Sequence, residues 1–130
     1  MLSPAGISNG LHILAIDNEP SVTTSLGFVF GPPRYRLNTV ASGEAALAAL
    51  ASAAEPFDVI IVDQKMPNLT GAELVAALRE RGVKSRIIVL SAHVTNEVRK
   101  TYKDLGVQAI FEKPFDVAHL RAAVDTLAGA

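Results

Sequence analysis

Short apolar runs and amphipathic stretches alternate along nearly the whole chain. Runs rich in Val, Ile and Leu fall at 11–17 (LHILAID), 36–41 (RLNTVA), 57–63 (FDVIIVD), 86–92 (RIIVLSA) and 108–113 (QAIFEK). Their length and the turn-forming residues around them predict strands. The unbroken apolarity of VIIV and IIVL predicts strands covered on both faces, because a half-exposed strand would alternate.

Between these runs the apolar residues recur at helical spacing. Segment 20–30 opens with Pro20, a favoured first-turn residue, and carries Val22, Leu26 and Val29 on one stripe. Ser42 is a candidate N-cap for the Ala/Leu-rich segment 43–54. Thr70-Gly71-Ala72-Glu73 has the form of a capping box ahead of Leu74 and Leu78 in segment 71–81. Segment 96–105 follows Thr95, carries Val98, Tyr102 and Leu105, and meets a stop at Gly106. Segment 117–128 follows Asp116 and lines up Val117, Leu120, Val124 and Leu127. Five β-α units in strict alternation predict an α/β fold: a parallel sheet with helices on both faces. Residues 1–10, rich in Ser, Gly, Pro and Asn, are expected to form a flexible tail, leaving 11–128 as one domain.

Composition narrows the function classes. The chain has 130 residues, 49% of them apolar and 19% charged, enough for one globular core. A net charge of −1 supplies no field for gripping nucleic acid or an anionic membrane. Without cysteine there are no disulfides, thiolate metal sites or thiol nucleophiles. No apolar run has the length of a membrane span, and MLSPAGISNG lacks the form of a signal peptide, so a cytoplasmic location is expected.

Ligands of open parallel sheets bind beyond the C-terminal ends of the strands. Those ends carry Asp17, Asn18 and Glu19 on the first run, Asp63 on the third, Ser91 on the fourth and Lys113 on the fifth. Acids, a hydroxyl and an ammonium from four distant segments therefore converge on one edge. Clustered oxygen ligands suit Mg²⁺ (or Mn²⁺), and a carboxylate such as Asp63 can attack a phosphoryl group to form an acyl phosphate. The charge on a transferring phosphoryl would be met by the cation, by the Lys113 ammonium and by the Ser91 hydroxyl.

The set IDNEP, DVIIVDQKMPNLTG, IIVLSA and FEKPF resembles the receiver domain of two-component response regulators over about residues 11–128. The resemblance implies a flavodoxin-like (βα)5 sheet of order 2-1-3-4-5. It further implies Asp63 as phosphoacceptor, and Asp17, Asn18, Asp63 and the backbone carbonyl of Lys65 around Mg²⁺. Ser91 becomes the switch hydroxyl and Lys113 its partner in holding the phosphoryl group. Met66-Pro67 and Gly71 would shape the loop after the third strand, and a cis bond would precede Pro114. The implied donor is a histidine kinase or histidine phosphotransfer protein. The fourth helix, fifth strand and fifth helix, with Arg99 and Lys103, would form the surface for an output partner, an output domain or a homodimer. Such a domain signals through its own phosphorylation and does not turn over an external substrate.

The sequence departs from the resembled pattern in places. Asn18 stands where a second acid is usual, which predicts weaker metal binding. The competing reading makes Asn18 a cap of the helix that starts near Pro20. Glu19 could compensate for the missing charge, although the matching position in the resembled family is usually not a direct ligand. If Asn18 disables the site, the chain is a pseudo-receiver that binds partners without phosphorylation. Ile110 replaces a common aromatic and is expected either to alter coupling to the 96–128 surface or simply to pack as an aliphatic, with Phe111 facing the other way. Lys65 and His93 flank the phosphoacceptor and are expected either to modulate loss of phosphate or to be solvated loop side chains. His12 and His119 fall outside the constellation. A haloacid-dehalogenase-type phosphatase would need its D-x-D pair on the first strand and a longer chain, and an FMN protein a Ser/Thr/Gly-rich loop there. Neither is present.

Overall fold

The computed structural model describes residues 10–129; the tail expected over 1–10 lies outside the described residues apart from Gly10. The elements run β1 (Leu11–Ile16), α1 (Pro20–Val29), β2 (Tyr35–Val40), α2 (Gly43–Ser52), β3 (Val59–Asp63), α3 (Gly71–Glu80), β4 (Arg86–Ser91), α4 (Asn96–Asp104), β5 (Ala109–Glu112) and α5 (Val117–Gly129). The five strands form one sheet in the order β2-β1-β3-β4-β5, and every neighbouring pair is parallel.

The continuous apolar runs are the central strands, and both of their faces are covered. Leu14, Ile16, Ile60, Val62, Ile87 and Val89 pack on one side with Ala46 of α2, Leu74 and Leu78 of α3 and Tyr102 of α4. Ile13, Ala15, Val59, Ile61, Ile88 and Leu90 pack on the other with Leu26 of α1 and Leu120 and Val124 of α5. The period-2 side-chain alternation of a strand divides the two sets. Ile110 and Phe111 part in the same way, each partly buried against a different cluster.

The capping signals act as read. Ser42 Oγ accepts from Ala45 N at 3.1 Å. Thr70 and Glu73 bond each other's backbone N–H reciprocally, and Thr95 Oγ1 accepts from Val98 N. Asp116 Oδ1 accepts from Ala118 N and His119 N. Caps of this kind contribute about 1 kcal/mol each. The capping reading of Asn18 is corrected: the residue at the N-cap of α1 is Glu19, without a side-chain cap bond. Pro20 supplies the first turn there, with no N–H left to satisfy. His12 is a core residue, stacked on Phe57 with ring centroids 4.0 Å apart and with Nδ1 3.0 Å from the Pro56 carbonyl. Arg79 ties α3 to the turn after α4 by donating to the carbonyls of Leu105 and Gly106. The Lys113–Pro114 bond is cis, as the resemblance implied, and so is Pro32–Pro33. Among the described residues no helix is long and apolar enough to cross a membrane.

Candidate functional site

Three strands deliver three side chains to one point at the C-terminal edge of the sheet. Asp17 follows β1, and its backbone N–H donates to the Val40 carbonyl of β2 at 3.1 Å. Asp63 ends β3, and the next N–H, from Gln64, donates to the Leu90 carbonyl of β4 at 2.8 Å. Lys113 follows β5, with its N–H on the Ser91 carbonyl at 2.8 Å. The sheet's own hydrogen bonds thus continue just past each strand and fix where these three side chains begin.

The Lys113 ammonium sits among three carboxylates. Nζ donates to Glu19 Oε1 at 3.0 Å, Asp63 Oδ1 at 3.1 Å and Asp17 Oδ2 at 3.2 Å. An ammonium has three protons, so this set uses all of its donors. Asp17 and Asp63 are almost fully buried, whereas the Glu19 side chain is 56% exposed. Asp17 Oδ1 also accepts the Glu19 N–H at 2.9 Å, which fixes the carboxylate's plane.

Burial sets the electrostatics first. It raises the Asp63 carboxyl above the ordinary aspartate range; the Lys113 hydrogen bond pulls back, and the Asp17 charge pushes up again. For Lys113, burial alone would favour the neutral amine. Hydrogen bonds from Glu19, Asp63 and Asp17 outweigh it and hold the ammonium's pKa above its usual value. The lysine is therefore a fixed cation at neutral pH.

The same acids form a donor set for a cation. Asp17, Glu19 and Asp63 each offer a carboxylate oxygen within 4.8 Å of the others. Hard cations that take oxygen ligands suit such a set. Glu19, expected to add charge to the site, stands beside the two aspartates in this group. Its acid at the strand end was visible in the sequence; its reach to Lys113 was not.

The site opens through a cleft of about 500 Å³ lined by Asn18, Glu19, Asp63, Lys65, Met66, Pro67, Ala92 and Lys113. Asn18, Lys65 and His93 are exposed. Ser91 is buried but bonded elsewhere: Oγ donates to the His93 carbonyl at 3.0 Å and lies 3.3 Å from the His93 N–H. The following residue, Val94, donates its N–H to Glu112 Oε2 at 3.1 Å. The structure therefore brings Asp17, Glu19, Asp63 and Lys113 into contact and leaves the Ser91 hydroxyl turned into its own loop.

Close approach of its neighbours explains Gly71, the glycine that opens α3. A Cβ there would meet the Asp63 carbonyl oxygen at 2.7 Å, and Gln64 Cα and Tyr102 Oη at 2.9 Å each. Backbone cannot yield as a flexible side chain would. Gly71→Ala is expected to cost about 1–3 kcal/mol, typical of overpacking, and to displace Asp63. Denaturant unfolding checks the first effect, and wild-type stability would refute it.

A family model for the response regulator receiver domain matches residues 13–125 of this α/β chain. The chain belongs to that family. This receiver is 29% identical over 112 residues to sporulation initiation phosphotransferase F of Bacillus subtilis, covering 86% of this chain and 89% of the relative. It is 33% identical over 116 residues to the transcriptional regulatory protein KdpE of Mycobacterium tuberculosis, covering 86% of this chain and 50% of the relative. The chain thus spans about half the length of that transcriptional regulator. Among solved structures, the Vibrio cholerae chemotaxis protein CheY4 superposes with a TM-score of 0.83 at 29% identity, covering 91% of this chain and 98% of that one. The Francisella response regulator 1452 receiver domain gives a TM-score of 0.85 at 24% identity, covering 92% and 98%, a likeness of fold. The receiver is thus a signalling domain of the two-component type.

Proposed function

We propose that Asp63 of this receiver accepts a phosphoryl group from a histidine kinase or histidine phosphotransfer protein, and that the modified domain changes its affinity for an output partner. The supporting observation is the buried Asp63 carboxylate, held 3.1 Å from Lys113 at the floor of an open cleft. A carboxylate oxygen attacks phosphorus and forms an O–P bond while the donor's N–P bond breaks. The departing imidazole keeps the bonding electron pair. Lys113 is placed to turn from Asp63 to a phosphoryl oxygen. Ser91 can join it by giving up one hydrogen bond to the His93 carbonyl, worth about 1 kcal/mol, and this carries the β4–α4 loop with it. Phosphorylation adds about −1.5 to −2 charges, enough to bias such a loop. The helix 4, strand 5 and helix 5 surface, with exposed Arg99 and Lys103, is where a partner, a linked output domain or a second copy would read the change.

Bound Mg²⁺ (or Mn²⁺) would supply neutralisation of the phosphoryl charge, held by Asp17, Asp63, the Asn18 amide oxygen and the Lys65 carbonyl, with Glu19 adding charge. Asn18 lines the same cleft as Glu19 and Asp63, so the site keeps an oxygen donor where an acid is usual. Asn18→Asp is expected to tighten Mg²⁺ binding about tenfold, the equivalent of ~1.4 kcal/mol. Equal affinities in a calorimetric titration would show that the residue 18 side chain is not a ligand. The phosphoacceptor reading is tested by incubation with acetyl phosphate and Mg²⁺, followed by intact mass. One acid-stable, base-labile phosphoryl adduct per chain is expected. No adduct at millimolar Mg²⁺ would leave the pseudo-receiver, a phosphorylation-independent binding module.

A further inference from the structure

Among the described residues, three buried side-chain polar atoms have no hydrogen-bond partner in the protein: Arg36 Nε, Gln64 Oε1 and Tyr102 Oη. The last two belong to residues that meet at Gly71. A Cβ on that glycine would touch Gln64 Cα and Tyr102 Oη at 2.9 Å each, so the phenol oxygen and the Gln64 backbone flank the same point. One orphan is a donor and the other an acceptor. Tyr102 is 1% exposed. Burial, reinforced by the Asp63 charge, raises the pKa of its phenol and keeps the proton on it. Leaving both groups unpaired at this depth costs free energy in the resting form.

The two residues also sit at the two ends of a mechanical link. Gln64 is bonded directly to Asp63 in the chain. Tyr102 is the one buried residue of α4, whose remaining surface exposes Glu97, Arg99, Lys100 and Lys103. The Asp63–Gln64 backbone and the anchor of the charged helix thus border the same glycine, Gly71. Ile110, partly buried against the same cluster as Tyr102, has no polar atom with which to carry a change between them.

We propose that Tyr102 is a positioning residue that couples α4 to the phosphoacceptor: its hydroxyl donates to Gln64 Oε1 in the phosphorylated form and is unpaired at rest. This inference rests on Asp63 being the acceptor. A bond made only in the modified form shifts the equilibrium toward that form, and by linkage tightens whatever selects it.

The probe is beryllofluoride with Mg²⁺, a phosphoryl mimic, titrated into the wild type, Tyr102→Phe, Gln64→Met and the double variant. Tyr102→Phe keeps the ring that fills the core. It is expected to bind the probe about three- to tenfold more weakly, the worth of one hydrogen bond. It should melt no lower than the wild type without the probe, since it removes an unpaired buried hydroxyl. Gln64→Met should lose a similar factor, and the double variant no more than either single change. Unchanged affinity of Tyr102→Phe, or losses that simply multiply in the double variant, would overturn the pairing. A lower melting temperature for Tyr102→Phe would also overturn it, by showing the hydroxyl already bonded at rest. Absence of binding by the wild type would remove the phosphoacceptor reading and this inference together; binding with an unaffected Tyr102→Phe would remove the inference alone.

Discussion

Asp63→Asn is expected to abolish adduct formation from acetyl phosphate while leaving the fold intact and slightly more stable. The amide is nearly the shape of the carboxylate, and its oxygen can keep the 3.1 Å bond from Lys113. An amide cannot attack phosphorus as a carboxylate does, so the chemistry stops. Asp17 is no substitute, because it does not line the cleft onto which Asp63 opens. The stability argument follows from the sign of the Asp63 shift. Burial and the Asp17 charge raise its pKa in the folded state, so the folded chain binds its proton more tightly than the unfolded one. The stabilising contribution is full below the unfolded value and is lost as pH rises through the folded value. At neutral pH the ionised carboxylate is therefore a cost, which the amide removes. Intact mass and thermal melting report the two effects in one preparation. A stoichiometric adduct on the variant would move the acceptor to another side chain, with Glu19 the first to examine.

The order of elements was legible because it rests on periodicity, and periodicity survives in any single sequence. Each strand and helix lies where the apolar pattern put it, with ends moved by one or two residues. The strand 36–41, for instance, begins at Tyr35, whose ring packs edge-on against Phe30 with its hydroxyl 2.7 Å from Asp125. That long-range partner has no local signature. The corners of the site were legible for a similar reason, since parallel strands must deliver their last residues to one edge. What local pattern could not reveal was how side chains turn. Ser91 ends β4 as expected, yet its hydroxyl is spent on the His93 carbonyl. Asn18 could have capped a helix by residue type, but that helix begins at Pro20, two residues later, and Glu19 takes the cap position while reaching Lys113. Tyr102 read as one more apolar position on a helical stripe. Its unpaired hydroxyl beside Gly71 appears only once α4 is packed against the loop after β3.

Lys113→Met should lower stability by about 3 kcal/mol, at the low end of the range for removing one member of a buried ion pair. The stem of the side chain would still fill its place, so the loss isolates the charge. The Lys113 side chain is 17% exposed, while its partners Asp17 and Asp63 are at 1% and 5%, so the two aspartates would be left facing each other with little water to screen them. Two consequences separate this account from simple loss of packing. The first is the pH dependence. Without the ammonium the Asp63 carboxyl loses its main pull toward the charged form, and its pKa rises further. The variant's deficit should therefore shrink as pH falls from neutrality toward the ordinary aspartate range, where the proton neutralises the repulsion. A packing defect would cost the same at each pH. The second is the response to Mg²⁺. A cation drawn to Asp17, Glu19 and Asp63 no longer competes with an ammonium for the same oxygens, so millimolar Mg²⁺ should raise the melting temperature of the variant more than that of the wild type. The restored fold would still lack a fixed cation for the phosphoryl oxygen, and adduct formation should remain at least tenfold slower, the effect of ~1.4 kcal/mol at the barrier. Melting curves across pH, with and without Mg²⁺, measure all but the last, and a pH-independent deficit that Mg²⁺ leaves unchanged would show that Lys113 does not neutralise this acid cluster.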